Sequence, residues 1–196
     1  MINVVKTFDT NNSDFLARQR QLFASRIPTT RESEENYAWV DESPQPHTLQ
    51  YLFEINKFID GGWYEAVDDQ TGKTVKSCGA YLHENSLVFG VRYCTFDSEA
   101  AYSHVFINHI LPASYHRACT LGVDSMVLTV NDYNRHLPRM FKSQLHSEKT
   151  SPLAKSLLAR LQYRGEREFN HIKQNIYSIE FAINSDYWYK ENHVGL

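Results

Sequence analysis

The sequence predicts an α/β (α+β) chain in which flanking helices cover a mixed, mostly antiparallel central sheet. Three observations lead there. Between Thr74 and Asn134 the pattern runs strand, strand, long helix, strand. A hairpin pattern enters that unit, Trp63 to Asp68 with Val75 to Leu82, and a second antiparallel pattern follows it, Gln162 to Phe169 with Gln174 to Ile183. Met126 to Val130 is an apolar run without alternation, which fits a parallel strand buried on both faces.

Taken in order, Ile2 to Phe8 is rich in β-branched residues and reads as a first strand. Asn12 or Ser13 caps a helix from Asp14 to Arg26, whose Phe15, Leu16, Leu22 and Phe23 form an apolar stripe at helical spacing. From Ile27 to His47 the pattern dissolves into Thr, Ser, Glu and Pro, a long loop. Leu49 to Ile59 fits both strand and helix, and Gly61-Gly62 as a stop favours helix. After the Trp63 strand and a turn containing Gly72, Val75 to Leu82 and Leu87 to Thr95 pair through the polar turn HENS.

Asp97 or Ser98 caps the helix that follows, Pro112 kinks or breaks it near its middle, and Gly122 ends it in the left-handed region. Met126 to Val130 completes a right-handed crossover, so ligands are expected beyond the carboxyl ends of its strands, near Cys94 to Ser98 and Asn131 to Asn134. A helix from Arg135 to Leu145 takes Pro138 in its first turn, Pro152 to Leu161 forms another, and the final pair of strands follows. A chain of 196 residues with 42% hydrophobic content buries a real core, and one domain over residues 1 to 196 is expected, its core at about 63 to 183.

No run has the apolar length of a membrane span, and the opening MINVVKTFDTNNSD lacks the features of a signal peptide. Three cysteines without a CxxC pair (Cys78, Cys94, Cys119) read as reduced thiols in a cytoplasmic protein. The nine histidines show no HxxxH or HExxH spacing; His104 and His109, five apart, fall on different faces of an α-helix, and no metal is expected. The net charge of −3 hides an asymmetry. Residues 135 to 173 hold nine Lys/Arg against three Glu, a surplus of six, which leaves −9 on the rest. That region is a candidate surface for an anionic partner, or else a solvated helical face.

The order of elements, carried by VDDQTGKTVKSCGAYL, SLVFGVRYCTF, VLTVNDYN and LQYRGEREFNHIKQNIYSIEF, resembles the GNAT superfamily of N-acyltransferases over most of Trp63 to Ile183. The resemblance implies acetyl-CoA or another acyl-CoA as donor and a small-molecule or protein amine as acceptor. It implies that the fourth and fifth strands splay to bind the pantetheine arm, placing Tyr93 and Cys94 on one side and Asn131 and Asn134 on the other. A Gly-rich turn at the next helix's start would hold the pyrophosphate. A tyrosine phenol would protonate the departing thiolate.

Two departures stand in the sequence. CTFDSEAAYSH contains no glycine, and Asp97 and Glu99 sit where the pyrophosphate would come, leaving Ser103 and His104 as anion donors. With Asn134 matched to the family's Asn, the tyrosine position is Phe141, which has no proton to give, and Tyr133 is the stand-in. Acyl-CoA binding is therefore expected to be weak or lost, and a GNAT-fold binding module is the alternative. A third reading is an acyl-homoserine-lactone-synthase-like enzyme, since FLARQRQLFASR and VFGVRYCTFD are similar to motifs of that branch. Among the remaining candidates, Glu65 is the carboxylate placed to act as base, unless strand alternation turns it outward. Tyr81 and His83, at the end of the third strand, flank an acceptor amine, unless the HENS turn simply places His83 in solvent. Arg92 is a substrate ligand or an internal ion-pair partner.

Overall fold

The computed structural model describes residues 1–9, 12–24, 60–94, 104–132, 136–169 and 172–181. The sequence-predicted loop from Ile27 to His47, the helix from Leu49 to Ile59 and residues 182 to 196 lie outside them. β1 (Ile2–Thr7), β2 (Trp63–Asp68), β3 (Thr74–His83), β4 (Ser86–Cys94), β5 (Ser125–Asn131), β6 (Leu161–Phe169) and β7 (Ile172–Glu180) form one seven-stranded sheet in the order β1-β2-β3-β4-β5-β7-β6. β4 and β5 are parallel; the other neighbouring pairs are antiparallel. This is the mixed, mostly antiparallel sheet that the sequence predicts.

α1 (Ser13–Ala24) starts where the Asn12 side chain accepts the Phe15 N–H at 3.0 Å, the expected cap. Alternation along β2 divides the two faces of the sheet. Trp63 turns to α1, its ring 5.7 Å from Phe15 in an edge-on contact. Tyr64 and Ala66 turn the other way, into the main core with Phe89, Phe106 and Ile110. Gly61 approaches β3 so closely that an added Cβ would lie 2.1 Å from the Ala80 carbonyl oxygen.

The β3–β4 hairpin turns through Glu84, which takes a left-handed φ of 51°, and Asn85. Higher in the same hairpin, Gly79 pairs with Val91 and Ala80 with Phe89, so Gly90 is an extra residue in β4. On one face of β5 Met126, Leu128 and Val130 are buried; on the other Ser125 and Thr129 are buried and Val127 is half-buried.

The crossover helix differs from expectation in how it accommodates Pro112. A π-helical turn, Phe106–Ile110, runs straight into α2 (Leu111–Leu121), and Leu111 N–H donates to Phe106 C=O, five residues back. Pro112 sits in the first turn of α2, where its missing N–H is least costly. Of the kink or break expected at Pro112, the break is absent: the π turn precedes the proline and α2 continues beyond it. Gly122, φ 67°, ends α2 by donating to Ala118 and Cys119. α3 (His136–His146) and α4 (Pro152–Ala159) follow β5. Ser151 caps α4, and its own N–H donates to Asn108 Oδ1 at 3.1 Å, tying α4 to the π turn.

Because the Gly61 contact is with backbone rather than a flexible side chain, Gly61→Ala should destabilise the chain by about 1–3 kcal/mol, the usual range for overpacking. Denaturant unfolding should show the midpoint fall with an unchanged slope.

Candidate functional site

Parallel pairing of β4 with β5 runs from Ser86↔Ser125 to Phe89↔Leu128. Beyond that row the two strands keep other partners. Val91 to Cys94 stay paired with β3 down to Lys76, and Thr129 to Asn131 pair with β7 down to Gln174. Among the described residues no ladder joins the two strands past Phe89 and Leu128, so the sheet forks there. The extra residue Gly90 stands at the apex, where a bulge twists β4 away and its backbone has no Cβ to block approach. A glycine interrupting a strand pattern was the sequence signal for it.

Tyr93 and Cys94 lie on one arm of the fork, opposite Ser77 and Lys76, and Arg92 lies opposite Cys78. Asn131 ends the other arm, opposite Gln174. Ser103, Tyr133 and Asn134 fall outside the described residues. His104 is exposed at the beginning of the described part of the crossover helix. Tyr81, half-buried, pairs with Val88, one row on the closed side of the apex. His83 pairs with Ser86 in the hairpin turn, three residues from Phe89 and so about 10 Å from the apex along the strand. It is exposed, as its solvated reading had it.

Glu65 is fully buried, but not as a free base. Arg18 donates to it from Nε at 3.1 and 3.2 Å and from a terminal nitrogen at 2.7 Å. Gln19 Nε2 donates at 2.8 Å and Thr74 Oγ1 at 3.0 Å. Three side chains occupy its oxygens and hold it against α1, which favours a structural role over proton abstraction. The hydrogen bond to Glu65 is also the main reason the Arg18 guanidinium holds its proton more tightly than usual. No local pattern announces this network, because its partners lie 46 and 47 residues apart.

Phe141 is buried on α3, its ring 6.1 Å from that of Tyr177 in an edge-on contact. Some basic side chains of residues 135 to 173 have local partners, and Arg164–Glu180 sets an acid from outside that segment against its surplus. Arg164 donates to Ser178 and Glu180, Arg167 to Gln174, and Lys173 lies 2.5 Å from Glu166. Arg139 and Lys142 are exposed on α3. Among the described residues no group of three or more His, Cys, Asp or Glu can hold a metal, and no helix is long and apolar enough to cross a membrane.

His109 lies in the π turn, and burial and then the positive charge of His104 disfavour its protonation.

With the sheet order, the fork and the crossover in place, the chain can be compared with solved structures. It superposes on a spermidine N-acetyltransferase chimera from Vibrio cholerae and hSSAT with a TM-score of 0.59 at 11% identity, covering 91% of this chain and 95% of that one. A probable acetyltransferase from Staphylococcus epidermidis ATCC 12228 gives 0.56 at 11%, covering 93% and 100%. The chain has the GNAT fold. The ribosomal-protein-S18-alanine N-acetyltransferase from Escherichia coli gives 0.54 at 8%, covering 94% and 97%. No family profile and no curated sequence matches the chain. At such identities the GNAT fold is common to these proteins, while side chains at the fork are this chain's own.

Two outcomes follow. Glu65→Ala should destabilise by about 3–5 kcal/mol, since it strands Arg18 and Gln19 without their acceptor; chemical unfolding measures it. For His109, burial and then His104 lower the pKa in the folded chain. The unfolded chain, with a value of about 6.5, therefore binds more protons in acid. The stability contribution is present above about pH 6.5 and is lost as pH falls through the lower folded value. Thermal melts of His109→Gln should lose less stability than wild type between about pH 7 and pH 5.

Proposed function

We propose that this chain is an N-acyltransferase that takes an acyl group from a pantetheine thioester, acyl-CoA, and delivers it to an amine. The single observation that carries the reading is the fork past Phe89 and Leu128 with Gly90 at its apex. An extended amide-bearing arm laid there meets two strand edges whose N–H and C=O groups face each other without a shared ladder, and it gains main-chain hydrogen bonds as an added strand would. The fork therefore fits the pantetheine part of the donor.

The diphosphate part has weaker support. The sequence from Cys94 to His104 contains no glycine and two acids, so little of the binding energy is assigned to it. Acetyl-CoA is accordingly a weak ligand in this reading. The acceptor class is an amine, in a cytoplasmic setting.

A second reading is favoured by one feature, the exposed Arg139 and Lys142 on α3. There the chain acts as a binding module for an anionic partner, and affinity falls steeply with salt and on reversing both residues to Glu. The acyl-homoserine-lactone-synthase-like reading has no support among the described residues.

The deciding experiment is a thermal-shift titration of the intact chain with acetyl-CoA and, separately, acetyl-pantetheine. Both should raise Tm only at high excess, growing with ligand over Kd, and by similar amounts because the arm supplies most of the contact. Stabilisation by neither ligand would overturn the acyltransferase reading. A far larger shift with acetyl-CoA would show that the glycine-free segment holds the diphosphate after all.

A further inference from the structure

Residue pairing places one row of side chains across the apex of the fork: Phe89 on β4, Leu128 on β5, Tyr177 on β7 and Tyr163 on β6. Directly paired residues project from the same face of a sheet, so all four share one. That face is covered by the crossover helix and α3, because Phe106 packs on Phe89 at 5.4 Å and Phe141 packs on Tyr177 at 6.1 Å. Phe89 and Leu128 are closed off from solvent, and Tyr177 is half-buried. Tyr177 is thus a phenol in the apex row, in contact with the side chain that stands where the family pattern has its tyrosine.

We propose that Tyr177 supplies the proton to the departing thiolate that Phe141 cannot. The proposal rests on the fork holding the thioester, as set out above. The midline between β4 and β5 lies about 7 Å from β7, and Leu128 stands between them in the row, so the Tyr177 ring reaches the thioester by lying across Leu128. Tyr163 is in the same row but one strand further out, at the sheet edge, and is 56% exposed. The phenol of Tyr177 is also held protonated, since burial and then the neighbouring Tyr163 raise its pKa above the ordinary value.

In the transfer step the amine lone pair forms a bond to the thioester carbonyl carbon and the carbon–sulfur bond breaks, its electron pair passing to sulfur. The Tyr177 O–H proton moves to that sulfur and yields the free thiol. The phenolate recovers a proton from the ammonium formed on the acceptor, directly or through water, so the products are an amide and a thiol with no net proton change.

The test separates this assignment from the reading beneath it. CoA and desulfo-CoA are titrated by calorimetry into wild type, Tyr177→Phe and Tyr163→Phe at about pH 7 and again at about pH 9, above the ordinary thiol pKa of about 8.5. Tyr177→Phe keeps the ring, and therefore its packing on Phe141. It should lose about tenfold in CoA affinity at the higher pH, where the phenol donates to a thiolate. It should lose little at the lower pH and nothing toward desulfo-CoA. Tyr163→Phe should match wild type throughout.

Where wild type releases thiol from acetyl-CoA with a primary amine, Tyr177→Phe should lower kcat about a hundredfold, and Phe141→Tyr in that background should restore part of it. An unchanged preference for CoA over desulfo-CoA in Tyr177→Phe at both pH values overturns the assignment while leaving the acyltransferase reading intact. Binding of neither molecule by wild type overturns both.

Discussion

The carboxylate of Glu65 is the constraint on which the sheet's α1 face depends. A fully buried charge must be matched, and here the match is made by a circuit of side chains rather than by one partner. Trp63 on β2 donates from its indole to Ser77 on β3; Ser77 donates to Gln19 on α1, and Gln19 donates back to Glu65 on β2. Arg18 adds the opposite charge and Thr74 the remaining donor. Replacing such a pair by well-packed apolar residues often costs nothing, so the circuit contributes more to placement than to net stability. A one-residue slip of β2 would swing Glu65 to the side of Tyr64 and Ala66, into the apolar core without donors. The register β1-β2-β3 and the seat of α1 are locked together by that penalty.

On the opposite face the same sheet is built to open. β4 keeps its ladder with β3 around the Gly90 bulge, and β5 keeps its ladder with β7, so each arm is supported from outside while the inner edges separate. Rigid strands with one free edge each are a better scaffold for an extended ligand than a loop, because their backbone groups are already fixed in direction. The π turn has a related effect. By absorbing Pro112 at the head of α2, it lets the helix cross the sheet unbroken and bring Phe106 down on Phe89 at the apex row.

Elements whose signal is local were legible in the sequence. Trp63 to Asp68, the HENS hairpin, the Gly122 stop, the Asn12 cap and the parallel Met126 to Val130 strand each rest on periodicity, turn chemistry or one residue's backbone preference, and each appears in the structure. Site residues were less legible. Glu65 looked like a base because a lone carboxylate in a strand does not reveal Arg18 and Gln19. Phe141 was found by its offset from Asn134, yet its neighbour Tyr177 is 36 residues further on and is brought there by β7 pairing with β5.

By itself, then, the sequence determined the strands and helices found among the described residues, the histidine and cysteine spacing, and the missing glycines and phenol that distinguish this chain from the pattern it resembles. These are properties of short windows, set by backbone sterics and by the alternation of apolar and polar residues. Tertiary structure alone decided where the sheet forks, which side chains neutralise Glu65, and that Tyr177 shares the apex row with Leu128 and Phe89. Those outcomes depend on strand order and register between segments far apart in the chain. Side chains become neighbours there because buried faces and hydrogen-bond ladders must be matched across the whole sheet at once, a condition that no single window of sequence contains.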